Sequence, residues 1–112
     1  RVINLSLGSE ASYAAVDRAI KNAGSSSKNV FIVASTGNTG DRAVTYPASI
    51  DQLLGAKLVA VASVDARDAK STFSTYGKAV ELAAPGEVVF GPAPNLGLAA
   101  WSGTSQAAPM VS

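Results

Sequence analysis

The sequence of 112 residues contains neither cysteine nor histidine. Without cysteine, the chain cannot form disulfides, thiolate zinc sites or a cysteine nucleophile. The missing histidine excludes more, because histidine is the usual general base at neutral pH. Any hydrolytic chemistry in which these residues take part must therefore receive its base from elsewhere.

Charge is also scarce, since charged residues make up 15% of the chain and the formal net charge is +1. Lysines and arginines are scattered, so no basic patch is present to attract nucleic acid or an anionic membrane. No apolar run approaches the ~20 residues that a membrane-spanning helix requires. Hydrophobic residues nevertheless reach 47%, which excludes a disordered chain and indicates segments that are buried on both faces.

The first part of the chain alternates between apolar strands and one amphipathic helix. Residues 2–7 predict a short strand, and a helix with its apolar residues on one face follows and ends at Gly24. The members of that face are Tyr13, Val16, Ile20 and Ala23. Residues 30–34 and 58–64 are continuous apolar runs, typical of strands in a parallel sheet. The order of strand, helix and strand predicts the βαβ crossover of an α/β fold.

After residue 64 the pattern indicates mostly turns. Residues 79–82 predict one more strand, residues 91–95 an irregular turn, and residues 98–101 a short apolar run. Pro109 indicates a final helix, because proline is tolerated in the first helical turn, where its missing N–H costs little. This interpretation places Ser105 at or near the N-terminus of that helix.

A polar segment with two glycines follows the second predicted strand, at residues 35–40. In open α/β sheets, ligands bind beyond the carboxyl ends of the strands. A Gly-Asn-Thr-Gly loop there lets the backbone approach a ligand closely and directs the amide of Asn38 into a crevice. The same residues also suit an ordinary turn, in which Asn and Gly tolerate unusual backbone angles.

A second polar segment, residues 102–109, contains Ser105. Unpaired N–H groups and the positive end of the helix dipole lie at a helix N-terminus. A hydroxyl at that place can act as a nucleophile whose oxyanion product is met by backbone donors. It can also simply cap the helix, which is worth about 1 kcal/mol. The chain has 14 serines, so position alone does not decide between these interpretations.

The order Ser-Gly-Thr-Ser-x-Ala-x-Pro at residues 102–109 resembles the nucleophile signature of the subtilisin-like serine proteases. Four further segments resemble parts of that family in the same order. They are residues 2–8, 33–40, 46–48 and 82–86. The resemblance covers essentially the whole chain and implies a three-layer α/β fold with a mostly parallel sheet.

The resemblance also implies roles for individual residues. Ser105 would be the acyl-forming nucleophile, and Asn38 would donate its side-chain amide to the oxyanion together with the backbone N–H of Ser105. Two segments would form the walls of the primary specificity pocket. The first is Ser6, Leu7 and Gly8, and the second is Ser35, Thr36 and Gly37. The first segment would also pair with extended substrate as an added strand.

Several departures from the family pattern limit what is expected. Gln106 stands where bacterial relatives often have methionine, and Met110 where relatives often have histidine. In the family, the catalytic aspartate and histidine come earlier in the chain than the region that Arg1 matches. We therefore expect residues 1–112 to be the C-terminal portion of a single peptidase domain, truncated at both ends. By itself, this portion should be inactive.

The resemblance bears on cofactors, partners and location as well. No cofactor is required for the chemistry. Calcium is common in the family, but no Asp/Glu cluster with recognisable ligand spacing occurs here. The expected partners are a polypeptide substrate and the remaining N-terminal part of the domain. Extracellular location is the family's habit.

Three alternatives remain open at this point. The sedolisin acid peptidases share the fold and a similar serine signature, but they pair serine with glutamate and carry aspartate at the position of Asn38. A non-catalytic relative could act as a binding module. A general α/β binding domain would hold these motifs by chance. The sequence upstream of Arg1 would separate all three.

Overall fold

The apolar runs of the sequence form a four-stranded sheet in the computed structural model, which describes residues 1–25, 28–50 and 57–112. The elements are β1 (Val2–Leu5), α1 (Ala14–Ala23), β2 (Phe31–Ser35), β3 (Leu58–Val64), β4 (Leu82–Pro85), β5 (Val89–Ala93), β6 (Gly97–Trp101) and α2 (Thr104–Val111). A single 3-10 turn, Pro94–Leu96, joins β5 to β6. Within the described ranges, no helix has the length and apolar character needed to cross a membrane.

The sheet has the order β1-β2-β3-β4, and all neighbouring strands are parallel. The central strands are the two continuous apolar runs, and their side chains are buried on both faces. Ala34, Ala60 and Val61, for example, are fully buried. The prediction of a parallel sheet with a βαβ crossover from β1 to β2 is therefore confirmed.

Successive side chains of the central strands serve two separate cores, because they alternate between the faces of the sheet. Ile32 and Ala60 pack with Ile20 of α1 on one face. Val33 and Val61 pack on the other face with small residues of α2, which contacts all four strands. The predicted arrangement of helix, sheet and helix in three layers is confirmed.

The apolar face predicted for α1 is covered only in part. Ile20 is 6% exposed, and Ala23 packs against the same core. Tyr13 and Val16, however, are 62% and 44% exposed. Gly24 ends the helix as predicted, and its N–H donates to the Ile20 carbonyl at 2.8 Å.

The predicted elements between residues 79 and 101 need correction. β4 begins at Leu82, where the strand predicted at residues 79–82 ends. Residues 91–93 do not form an irregular turn, because they belong to β5, which pairs with β6 in an antiparallel hairpin. Proline suggested a break there. A two-stranded hairpin tolerates Pro92, since each of its strands has one edge without a partner strand.

The last helix begins at Thr104, so Ser105 lies in its first turn, as predicted. The predicted place of Pro109 is wrong, because it is the sixth residue of α2 and lies in the second turn. Proline at this depth removes a backbone hydrogen bond from the helix. The acceptor that loses this bond is the carbonyl of Ser105, four residues earlier.

Candidate active site

The two polar segments meet where the carboxyl end of β2 approaches the start of α2. The backbone N–H of Thr104 donates to Asn38 Oδ1 at 2.9 Å, and Thr104 Oγ1 donates to the same oxygen at 3.0 Å. These bonds fix the oxygen of the Asn38 amide toward α2. The nitrogen, Nδ2, is consequently directed away from these two donors and is available to donate to a ligand.

Gly37 brings the loop close enough for these contacts. Its N–H donates to Thr104 Oγ1 at 3.2 Å. Its φ of +108° lies in the region that favours glycine. A Cβ at this position would lie 2.9 Å from Thr45 Cγ2. Only glycine therefore allows the loop to pack between Thr45 and α2.

Ser105 faces the end of β1. Its Oγ donates to the carbonyl oxygen of Ser6 at 3.3 Å, and Ser6 Oγ donates to the carbonyl oxygen of Ser105 at 2.8 Å. The carboxyl ends of β1 and β2 and the first turn of α2 thus converge on Ser105. The sequence placed residues 35–40 at this edge, where ligand sites of open α/β sheets form, and the family resemblance implied that Ser105 lies beside them.

Gly103 leaves a space that is bordered by two hydrogen-bond donors. The point that its Cβ would occupy lies 3.3 Å from Asn38 Nδ2 and 3.7 Å from the backbone nitrogen of Ser105. Gln106 Oε1 lies 2.8 Å from the same point. The φ of Gly103 is 165°, which is extended backbone. This position therefore needs glycine for its lack of volume, and a side chain there would occupy the space beside both donors.

A cavity of about 200 Å³ adjoins Ser105. Its lining consists of Gly8, Ser35, Gly37, Asn38, Thr45, Thr104 and Ser105. Nearly all of these are small, so the cavity is bordered largely by backbone and hydroxyl groups. Such a lining suits an uncharged group inserted next to Ser105.

Three of the predicted pocket residues line this cavity and three do not. Gly8, Ser35 and Gly37 belong to its lining. Thr36 is fully buried and donates to the Thr75 carbonyl instead. Leu7 is 56% exposed and lines a separate cavity beside α1. Ser6 contacts the backbone of Ser105. Alternation explains the result for the second segment, because the side chain of Thr36 points to the opposite side from its two neighbours.

Thr45 is a cavity residue that the sequence did not single out. Its Oγ1 donates to the Thr36 carbonyl at 3.2 Å, and it lies so close to Gly8 that a Cβ there would be 2.5 Å from the hydroxyl. The only signal in the sequence was its place directly before Tyr46, which begins one of the family-like segments.

Thr75 supports the loop from behind and was also missed. It is fully buried. Its N–H donates to the Gly37 carbonyl at 3.0 Å, and its Oγ1 accepts from the N–H of Thr39 at 3.2 Å. Thr75 therefore holds the backbone on both sides of Asn38. Nothing in the sequence distinguishes it from the other hydroxyl residues of segment 71–75.

Asp41 directly follows this loop in the sequence. Two donors lower the pKa of Asp41, namely the N–H of Ala43 and the hydroxyl of Thr39. In the part of the chain that the structure describes, no group of three or more acidic or histidine side chains is arranged to hold a metal. The site thus brings a serine hydroxyl close to two N–H donors, and the sequence contains no histidine.

Known protein sequences match this chain along essentially its whole length. The model of the subtilase family matches residues 1–112. Thermitase from Thermoactinomyces vulgaris is 40% identical over 111 residues, which are 99% of this chain and 37% of that protein. Subtilisin BL from Lederbergia lenta is 36% identical over 110 residues, which are 98% of this chain and 38% of that protein. The chain therefore spans less than two fifths of the length of these relatives.

Solved structures of similar proteins also superpose on nearly the whole chain. The prenylagaramide maturation protease PagA superposes with a TM-score of 0.85 and 32% identity, over 99% of this chain and 40% of that one. A cold-adapted subtilisin-like serine proteinase superposes with a TM-score of 0.84 and 33% identity, over 98% of this chain and 38% of that one. The likeness thus includes the sheet, both helices and the two polar segments.

Proposed function

The chain belongs to the subtilase family of serine peptidases, and from this premise we propose that the intact protein containing it is a serine endopeptidase. Its reaction would proceed through an acyl-enzyme on Ser105. The observation that carries the proposal is that Asn38 Nδ2 and the backbone nitrogen of Ser105 both lie within 4 Å of one point beside Gly103. Donors placed in this way are suited to stabilise the oxyanion of an acyl-transfer transition state.

In the proposed reaction, Ser105 Oγ attacks the carbonyl carbon of a peptide bond while a base takes its proton. The oxyanion that forms accepts hydrogen bonds from Asn38 Nδ2 and the backbone N–H of Ser105. Collapse of this intermediate breaks the C–N bond, and the amine leaves with the proton from the base. Water, activated by the same base, then hydrolyses the ester and restores the serine hydroxyl.

The base must come from outside residues 1–112, because this sequence contains no histidine. A histidine oriented by an aspartate, as the family resemblance implies, would supply it. Without that base, Ser105 is a neutral alcohol with little nucleophilicity at pH 7. We therefore expect the separate chain to be inactive and its partner to be the N-terminal part of the same domain.

The substrate of the family is polypeptide, and the geometry supports an extended peptide at this site. Residues 6–8 directly follow β1, and Ser6 is hydrogen-bonded to Ser105. A peptide that pairs with them would be recognised by its main chain. The adjoining cavity, bordered by Gly8, Ser35 and Gly37, would then take one side chain of the substrate.

The remaining parts of the proposal rest on the family alone. No cofactor enters the reaction. If the intact protein binds calcium, a cluster of carboxylate ligands would have to come from outside the described residues. Extracellular location remains a prediction that fractionation of the producing cells can test.

Asn38 also separates this proposal from its nearest alternative. An acid peptidase of the sedolisin type would carry aspartate here, whereas this chain has a donor amide that holds its oxygen against Thr104. A binding module without catalysis would need neither an accessible Ser105 nor converging donors. Ser105 is half-buried at the edge of the cavity, which is the exposure that a nucleophile requires.

The test is covalent labelling of the intact protein with a serine-directed fluorophosphonate, followed by mass-spectrometric mapping. We expect a single adduct on Ser105 and loss of peptide hydrolysis in proportion to labelling. Ser105→Ala should abolish both, and Ser102→Ala, which changes an exposed serine of the same segment, should abolish neither. An adduct on another residue, or hydrolysis that survives Ser105→Ala, would exclude the mechanism.

A further inference from the structure

Pro109 creates an unusual acceptor at the nucleophile. In an α-helix, the N–H of each residue donates to the carbonyl four residues earlier. Residue 109 should therefore donate to the carbonyl of Ser105, but proline has no N–H. The backbone of Ser105 thus lacks the helical bond that would hold it, although Ser105 must be placed accurately.

Ser6 replaces the missing donor from outside the helix. Its Oγ donates to the Ser105 carbonyl at 2.8 Å, which is an ordinary distance for a well-formed hydroxyl hydrogen bond. Asn4 Nδ2 donates to the same Oγ at 2.9 Å. Because Asn4 engages a lone pair of this oxygen, the hydroxyl hydrogen of Ser6 is oriented toward Ser105. The donor is therefore held in place before any substrate binds.

The bond in the opposite direction is weaker. Ser105 Oγ donates to the Ser6 carbonyl at 3.3 Å, which is longer than usual for a hydroxyl donor. When a base is present, this hydroxyl can turn toward it at little cost. The bond from Ser6 to the Ser105 carbonyl involves no reacting atom and can persist throughout the reaction. One contact thus holds the backbone while the other releases the nucleophile.

We propose that Ser6 is a positioning residue that fixes the backbone of the nucleophile Ser105 by supplying the hydrogen bond that Pro109 removes. The inference rests on the function proposed above and gives Ser6 a role different from that of a pocket wall. Since Ser6 follows β1 directly, the bond also ties the nucleophile to the segment along which an extended peptide would lie. The position of a bound peptide is in this way linked to the position of Ser105.

The test is a double-mutant cycle in the intact protein. Ser6→Ala should lower kcat and the rate of fluorophosphonate labelling roughly three- to tenfold, the effect of one lost hydrogen bond, while KM changes less than about twofold. Ser6→Thr retains a hydroxyl and should recover most of the loss. Ser12→Ala is the control, since Ser12 is an exposed serine whose hydroxyl bonds to Asp17.

The second arm uses Pro109→Ala, which returns an N–H to the helix opposite the Ser105 carbonyl. In that background, Ser6→Ala should cost less than about twofold in the labelling rate. An equal loss in both backgrounds would overturn the proposal, and a rise in KM at unchanged kcat would assign Ser6 to the pocket wall instead.

Denaturant unfolding of the wild type, the two single variants Ser6→Ala and Pro109→Ala and the double variant provides a readout that does not depend on catalysis. The midpoint loss caused by Ser6→Ala should shrink when residue 109 is alanine. If the wild-type protein is not labelled at Ser105, the proposed function fails. The unfolding cycle still decides whether Ser6 and Pro109 are coupled, and additive midpoints would refute that coupling.

Discussion

Thr75 allows a direct test of whether Asn38 owes its effect to the way its loop is held. Thr75→Val keeps the volume and branching of this fully buried side chain and replaces Oγ1 by a methyl group. The backbone bond to the Gly37 carbonyl is retained. The bond from the N–H of Thr39 at 3.2 Å and the contact between the two hydroxyls at 2.9 Å are lost.

The magnitude follows from the partners that remain. Thr39 Oγ1 keeps its bond to Asp41 at 2.9 Å, so only the N–H of Thr39 loses its acceptor altogether. A lost hydrogen bond costs about 1 kcal/mol net, and a donor left without a partner costs about 1–3 kcal/mol. Thr39 is exposed, which allows water to offset part of this. We expect the free energy of unfolding of the intact protein to fall by about 1–2 kcal/mol.

The effect on turnover should be smaller than that of removing the amide itself. Loss of one oxyanion-hole donor costs a serine protease about 10²–10³ in kcat. In Thr75→Val, Asn38 Oδ1 is still held by Thr104, so the amide is displaced and not deleted. We expect kcat for a peptide substrate to fall about five- to twentyfold. This corresponds to a loss of about 1–2 kcal/mol of the about 2.7–4 kcal/mol by which such a donor stabilises the transition state. KM should be nearly unchanged.

The assay is steady-state hydrolysis by the intact protein, repeated in the Asn38→Ala background. If Thr75 acts through Asn38, Thr75→Val should have little further effect on kcat once the amide is gone. Thr72→Val is the matched control, because Thr72 is an exposed threonine of the same segment. A full loss of kcat in the absence of Asn38 would refute the reasoning, as would an unchanged kcat in its presence.

Two further predictions concern other features of the chain. Gly103→Ala places a methyl group 3.3 Å from Asn38 Nδ2, and we expect at least a tenfold loss of acylation rate in burst kinetics with an unchanged far-UV spectrum; an unaltered burst would contradict the assignment of this space to the oxyanion. Asp65 has its pKa lowered by the N–H groups of Arg67 and Ala69, so its contribution to stability is present above the ordinary pKa of 3.8 and is lost as the pH falls below that value toward the lower folded one. Asp65→Asn should therefore flatten the acid limb of the unfolding midpoint against pH, and an unaltered limb would contradict this prediction.

An element of this fold could be predicted where the residues of a single segment are sufficient to indicate its secondary structure. The apolar runs that became β2 and β3 could be assigned because burial on both faces demands unbroken hydrophobic sequence. The hairpin of β5 and β6 could not, because its stability comes from pairing between residues such as Gly91 and Ala99. No local pattern records that pairing, and the prolines suggested the opposite.

Some residues of the candidate site could likewise be predicted from the sequence and others could not. Ser105 and Asn38 stand in motifs whose order along the chain resembles a family, and this order is visible without coordinates. Thr45 and Thr75 could not be found, because their importance lies in what they touch and not in what surrounds them in sequence. The role of Ser6 was likewise assigned to a wall, since only the packed structure shows that it faces the Ser105 carbonyl.

The sequence by itself indicated the family and the layered α/β fold, predicted Ser105 as the nucleophile, and contains no histidine that could serve as its base. Composition and motif order are properties of the chain and need no packing to be read. The tertiary structure alone decided that Pro109 lies in the second turn of α2 and that Ser6 supplies the lost hydrogen bond. It also decided that Thr104 and Thr75 hold Asn38 and its loop. These are contacts between residues up to 99 positions apart, which form only when the strands and α2 pack together.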